Sequence, residues 1–555
     1  MARTIVEGHR STVASAPLWL PRTDRTRTSR SFAGCDQRWS RQGASDSSEL
    51  LDDDSRPVVL RRRSGERMRE PQRTPAFSSR PREGVTDRAS VTSTRVECLG
   101  MRSLRHARRP RIAVVSPPFL SHAQPLSVLA GALARCGADV YFVSAPSFAP
   151  LARSADVEFV SLTVTPNANT GIAQRTRQGA RETERLEEFL RSTRDGAIAA
   201  LLTQARHRGE DMLSDPAGVL AGIRTLDARL SPDWYVVDQL SYPVTLALHC
   251  LGLRYATFCP GHPTYVPQTA DTLFGVPYAW PRAIQPAPGR VAELRRAARA
   301  NDAAFTERFA EVVRTHAPTV RTPVRAFALA SRQAVLFNYP RFEWLPEHPR
   351  NGTRFLYGGH CAPAAEPSPG EAWEGLVHRL RETHSRLVLV ALGTFLSARD
   401  DVLAKLVRGV LLEVPEAAVV VAAGERAAAL AHLSAPNVHI ADVVPQRWLL
   451  GRADAMVHHG GNNSFTECVA SGTPALILPF SSDQFSIAHD AERAELAVCL
   501  DPSRLGPRMA GSAVRQLLTD LPAGLSRWTR EVGRRGPDWM ASRLMRAMGG
   551  IVEDH

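Results

Sequence analysis

The sequence predicts an α/β protein made of two facing, doubly wound parallel sheets. Three observations carry this. Short apolar runs of strand length, such as RIAVV at 111–115 and AAVVVAAG at 417–424, recur along the chain. Strands covered by helices on both faces read in this way. Most runs are followed by a polar or Gly/Pro-bearing turn and then a stretch with helical spacing of apolar residues. Finally, the alternation begins at residue 110, lapses in a Pro- and Gly-rich segment at 346–384, and starts again at 386.

In the first half, the strand at 111–115 leads through the turn SPPFLSHAQP (116–125) into LSVLAGALARCG, which Gly137 should stop. ADVYFVSA (138–145) is the next strand, completing a βαβ unit with its right-handed crossover. DWYVVD (233–238), the helix YPVTLALHCLG ending at Gly252, and the strand RYATFC repeat the pattern. In the second half the strands are 386–394, 417–424, 437–443, 454–459 and 474–480. The expected organisation is an N-terminal Rossmann-like domain at 110–345, a linker at 346–384, a second such domain at 385–540 and a tail at 541–555. Two such halves leave a cleft at the carboxyl ends of both sheets.

Residues 1–109 form a separate, basic extension. Residues 1–110 carry 23 Arg and no Lys against 13 acidic residues, so most of the chain's net charge of +13 belongs there. Its Arg/Ser/Thr/Pro composition cannot bury enough apolar surface to order itself, and disorder is the expectation. Without interleaved aromatics or an amphipathic helix, it gives no support to a nucleic-acid or membrane-binding arm. No run approaches the 18 apolar residues of a membrane span, and the start lacks a secretory pattern. The eight scattered cysteines contain no CxxC pair. These features point to a cytoplasmic protein with reduced thiols.

HHGGNNSFTECVASGTP (458–474) stands apart. A glycine-rich turn between a strand and a helix exposes unpaired N–H groups at the positive end of the helix dipole, which suits a phosphate or diphosphate. Glu467, one turn in, suits ribose hydroxyls. Equally, Asn463-Ser464-x-x-Glu467 reads as a capping box. The adjacent His458 and His459 point to opposite faces of a strand, and no third ligand follows at metal spacing, so no metal is expected.

The order VVPQ (443–446), WLL (448–450), DAMVHHGGNNSFTE (454–467), SGTP (471–474), LPF (478–480) and DQ (483–484) resembles the donor-binding signature of family-1 nucleotide-sugar glycosyltransferases. SHAQPLSVLA (121–130) is similar to that family's G-H-x-x-P-x-x-x-L-A, with Ser121 in place of glycine, and Asp238 ends a strand as the family's aspartate does. The resemblance covers roughly 110–545. It implies the GT-B fold and inverting, metal-independent transfer of a hexose from a UDP- or TDP-sugar to a small hydroxylated, lipophilic acceptor such as a polyketide, macrolide or terpenoid. It assigns catalysis to His122 as base and Asp238 as its partner. It assigns donor binding to Gly393, Thr394, Gln446, His459, Gly461, Asn463, Ser464, Glu467, Asp483 and Gln484. No cofactor, nucleic acid or integral membrane association is implied, and no oligomeric state.

Departures are visible. Val443 and Asn462 replace frequent tryptophans and Ile487 a frequent asparagine, leaving uridine and thymidine both open. The region 150–345, with PGHPTYVPQ and LFGVPYAWP, is expected to supply an apolar acceptor wall. A sugar-nucleotide epimerase of the same architecture, or a non-catalytic sugar-nucleotide-binding partner protein, are the alternatives.

Overall fold

A computed structural model describes residues 108–171, 175–176, 179–345, 352–363 and 366–549. All but the last two residues of the basic extension therefore lie outside the described residues.

The first sheet has seven parallel strands: β1 (Arg111–Val115), β2 (Asp139–Ser144), β3 (Glu158–Ser161), β4 (Trp234–Asp238), β5 (Tyr255–Cys259), β6 (Ala334–Phe337) and β7 (Arg354–Tyr357). Their spatial order is β3-β2-β1-β4-β5-β6-β7. The second sheet has six: β8 (Arg386–Ala391), β9 (Ala417–Ala422), β10 (Val438–Ala441), β11 (Ala455–His458), β12 (Ala475–Ile477) and β13 (Ala497–Cys499), ordered β10-β9-β8-β11-β12-β13. Both sheets are doubly wound. In each the order reverses beside the first strand, between β1 and β4 and between β8 and β11, and ligands of open α/β sheets bind at such switch points.

The apolar runs are strands because helices cover both faces. Every residue of β4 and β5 is buried, as are the last four of β1. Gly252 and Gly472 end their helices in the left-handed conformation (φ 65° and 71°), which explains the stop read from sequence at Gly252. The helices Asp400–Glu413 and Pro507–Thr519 cross where Gly409 and Gly511 put backbone against backbone.

Three features differ from the expectation. The helix after β1 runs Leu120–Arg135, with Pro125 inside it, so His122 lies in its first turn and not in a loop. The stretch read as linker holds β7 and the helix Glu371–Thr383. β7 is an edge strand with only one of its four residues buried, so it writes no continuous apolar run. The last helix, Pro537–Ala547, crosses the expected 540/541 boundary and returns to the first half, where Met540, Leu544 and Met545 join Leu126, Leu129 and Leu133 in one core. A second core is shared between the halves, with Phe337, Tyr339 and Phe342 packed with Phe465, Met456 and Ile477.

Candidate active site

A cleft of about 1030 Å³ runs along the carboxyl ends of both sheets. On its first-half side, β1 and β4 are neighbours, pairing Val115 with Val237, and the switch point brings together the segments that leave their carboxyl ends. His122 Nδ1 lies 3.0 Å from Asp238 Oδ2. Asp238 is fully buried, and its Oδ1 accepts the Leu240 N–H at 2.9 Å. Asp238 does not cap the following helix, whose N-cap is Ser241. An ionised carboxylate only accepts, so Nδ1 carries the proton and the Nε2 lone pair is left available. Burial alone would depress the imidazole's pKa. The charge and hydrogen bond of Asp238, helped by the charge of Asp483, outweigh it and raise His122 above its ordinary 6.5.

On the second-half side, Gly393-Thr394 follow the end of β8, and His459 follows His458, the last residue of β11, so that both pairs flank the other switch point. His458 points into the core. Its Nδ1 accepts the Gly460 N–H at 3.0 Å, and burial, with His459 beside it, pushes its pKa down to about 3. His459 faces the cleft, and burial lowers its pKa to about 4. A methyl group on Gly393 or Gly461 would overlap the His459 ring. These two glycines are thus needed by an imidazole as well as by any close-approaching phosphate.

The helix Asn462–Ser471 starts at the N-cap Gly461 and has no side-chain cap. Its first intrahelical bond is from the Phe465 N–H, so the amides of Asn462, Asn463 and Ser464 lack intrahelical acceptors. The capping box is not formed. Glu467 instead accepts from Gln446 Nε2 at 2.6 Å, and the same amide group reaches Ser464 Oγ at 3.2 Å. Burial raises Glu467 to about 7, against the opposing pull of Gln446 and Arg447.

The remaining residues of the signature are spent differently from one another. The Asn463 side chain donates to Ser121 O at 2.9 Å, leaving its backbone amide as its offering to the cleft. Thr394 Oγ1 accepts from Asn169 Nδ2 at 3.0 Å. Gln484 braces its own turn, accepting from the N–H groups of Phe480 (2.8 Å) and Ser481 (3.1 Å). Asp483 Oδ2 accepts the His262 N–H at 2.8 Å, and burial raises its carboxyl pKa. All ten donor-side residues border the cleft, and so does His122, while Asp238 stands behind it. Among the described residues, no cluster of three or more His, Cys, Asp or Glu could hold a metal ion. No described helix is long and apolar enough to cross a membrane.

Sequence reasoning missed Asn169, Arg447 and Asp490, and read Asn462 only as a departure or a cap. Asn169 reaches across to Thr394. Asn462 donates to the carbonyls of Pro260 (2.6 Å) and Asn338 (2.7 Å). Arg447 pairs with Glu366 at the end where Val443 stands, 66% exposed. Of the expected acceptor wall, Tyr265 and Phe274 border the cleft, whereas His262 and Tyr278 turn to the buried Asp490. Burial would raise Asp490, but these donors and Trp344 hold it below the usual carboxylate range. A histidine beside two prolines was the only local signal.

Fold and cleft together define a GT-B protein, the class in which two doubly wound halves enclose a ligand site. Residues 407–529 match the family described as "Erythromycin biosynthesis protein CIII-like, C-terminal domain", and in that stretch, which holds most of the donor-side signature, the chain is similar to family-1 GT-B glycosyltransferases. The demethyllactenocin mycarosyltransferase of Streptomyces fradiae is 26% identical over 247 residues, 44% of this chain and 51% of that protein. The UDP-glucuronosyltransferase 2A3 of Cavia porcellus is 31% identical over 150 residues, 27% of this chain and 26% of that protein. A sterol 3-beta-glucosyltransferase of Vanderwaltozyma polyspora is 33% identical over 84 residues, 15% of this chain and 7% of that protein. The chain thus spans about half of these relatives' length or less. Among solved structures, the glycotransferase of kitacinnamycin superposes with a TM-score of 0.57 at 22% identity, covering 80% of this chain and all of that one. The calicheamicin glycosyltransferase CalG4 gives 0.54 at 18%, covering 80% and 99%. These two likenesses concern the fold.

Proposed function

We propose that the protein transfers a hexose from a UDP- or TDP-sugar to a hydroxyl of a small lipophilic acceptor, with inversion and without a metal. The observation that carries this reading is the His122–Asp238 pair, which borders the same cleft as the uncapped N-terminus of the Asn462–Ser471 helix. His122 Nε2 takes the proton of the acceptor hydroxyl as its oxygen attacks the anomeric carbon. The bond from that carbon to the diphosphate breaks, and displacement from the opposite face inverts the centre. Asp238 holds the ring by Nδ1 and stabilises the imidazolium, a contribution of about 10²–10⁴ in rate for a positioned base.

The departing diphosphate meets the amides of Asn462 to Ser464, Thr394 and a neutral His459, each able to donate a hydrogen bond in a partly buried site. Glu467, held by Gln446, receives the ribose hydroxyls. Asp483 faces the sugar, and Gln484 shapes the turn that presents it. Names of relatives support leaving the nucleotide at uridine or thymidine: one is a UDP-glucuronosyltransferase, and the VinC structure, with a TM-score of 0.51 at 19% identity, was solved with dTDP. Relatives named for glycosylating demethyllactenocin and sterols support a lipophilic acceptor, and Tyr265 and Phe274 give the cleft an aromatic wall.

The test is to incubate the full chain with UDP- and TDP-sugars and a panel of hydroxylated aglycones, with and without EDTA, and to look for hexose-sized mass additions. Product should form in both conditions and fall at least 10²-fold in His122→Ala. Equal product from His122→Ala overturns the base. A donor sugar altered without any acceptor would identify an epimerase instead.

A further inference from the structure

The loop 260–265 after β5, sequence PGHPTY, meets both helices on the donor side of the cleft. Pro260 O accepts from Asn462 in the first. His262 serves the second twice: its N–H donates to Asp483, at the start of the Gln484–Arg493 helix, and its Nε2 lies 2.9 Å from Asp490 Oδ2 further along that helix. Gly261 rests against the Asp483 carboxylate with no side chain to displace it.

Asp490 is fully buried and gathers three more donors. Tyr339 OH reaches Oδ2 at 3.0 Å, Trp344 Nε1 reaches Oδ1 at 2.8 Å, and Tyr278 OH also bonds Oδ1. All four donors belong to the stretch 262–344, and their acceptor to the second half. Desolvation offsets most of the stability such a buried cluster could add. Its contribution is geometry. Transfer requires the acceptor oxygen about 3–3.5 Å from the anomeric carbon, yet His122 rides on one half and Asp483 on the other.

We propose that His262 and Asp490 are positioning residues: through the loop 260–265 they lock the helix that presents Asp483 against the half that carries His122. This rests on the transferase reading above. Neither residue borders the cleft, so both act through Asp483 and Asn462. When the lock is loosened, water competes with the acceptor. Water then attacks the anomeric carbon and gives its proton to His122, the bond to the diphosphate breaks, and free sugar and nucleoside diphosphate form.

The experiment measures glycosylated product and free sugar together, with the full chain, a UDP- or TDP-sugar and a panel of hydroxylated aglycones. His262→Ala should lower transfer by about 10²-fold, the cost of a misplacement near 1 Å. It should also raise the ratio of hydrolysis to transfer about tenfold. His262→Gln, whose amide can again donate to Asp490, should recover most of the ratio. The ratio does not depend on how much of the sample is folded, so destabilisation alone leaves it unmoved. An unchanged ratio in His262→Ala overturns the positioning role even if activity falls. A wild type that neither transfers nor hydrolyses overturns the transferase reading, and this role with it.

Discussion

Asn463 donates its side-chain amide to the carbonyl of Ser121 at 2.9 Å, and that carbonyl is available because Pro125, four residues on, has no N–H to give it. The break in one helix becomes the docking point for another. Asn463 sits in the first turn of the donor-side helix, and Ser121 precedes the proposed base.

If this contact sets the base against the donor, Asn463→Ala should lower kcat about fivefold, the worth of one net hydrogen bond of ~1 kcal/mol. The donor KM should stay nearly constant. Pro125→Ala restores the intrahelical donor for Ser121 O and should reduce kcat in the same sense while stabilising the helix. Steady-state kinetics separates the outcomes, since a raised donor KM at constant kcat would return Asn463 to diphosphate binding.

His122 must be neutral to accept a proton. Its pKa is raised, so activity should climb with pH along an acid limb whose midpoint lies above 6.5. Asp238→Asn removes the charge that raises it and leaves the burial that lowers it. The limb of kcat/KM against pH should therefore move to lower pH, and kcat should drop by about 10²–10⁴. A limb that stays in place in Asp238→Asn would assign it to another group.

Glu467, near 7 without donor, is partly protonated at neutral pH. Ribose hydroxyls donating to it favour the carboxylate, so nucleotide binding should lower its pKa and release a proton. Calorimetry of UDP- or TDP-sugar binding near pH 6.5, where the sugar-capped diphosphate does not titrate, in buffers of different ionisation enthalpy, should show release that falls off above about 8. Glu467→Gln should abolish it and weaken binding.

Where the helices Asp400–Glu413 and Pro507–Thr519 cross, a methyl on Gly409 would strike the backbone carbonyl of Pro507. Gly409→Ala should destabilise the chain by about 1–3 kcal/mol, the cost of overpacking. Denaturant unfolding reads this, and activity per folded molecule should be retained because the crossing does not border the cleft.

Much of the architecture was legible because parallel strands buried on both faces write continuous apolar runs, as β1, β4, β8 and β9 do. β3, β6, β7 and β13 were not read from the sequence: each has only three or four residues, and β3, β7 and β13, towards the sheet edges, are mostly not buried. Gly252 and Gly472 marked helix ends because the left-handed conformation there favours glycine. Gly393 and Gly461 carried a different reason, the space His459 needs, which no local pattern reveals. The pairing of His122 with Asp238, separated by 116 positions, could be inferred because both lie at the carboxyl ends of neighbouring strands. His262 and Asp490 are 228 apart and belong to no shared motif.

The sequence by itself determined the alternating elements and the kinds of polar residue that gather at strand ends, because periodicity and strand-end position are local properties of the chain; the strand order that sets the two switch points came from the structure. Tertiary structure decided which partner each polar atom faces. Asn463 turns its amide to a carbonyl freed by a proline in another helix, Glu467 meets Gln446 in place of a cap, and Asp490 collects donors from the opposite half. Burial removes water as the alternative partner, so each such group must find its hydrogen bonds wherever the fold places them.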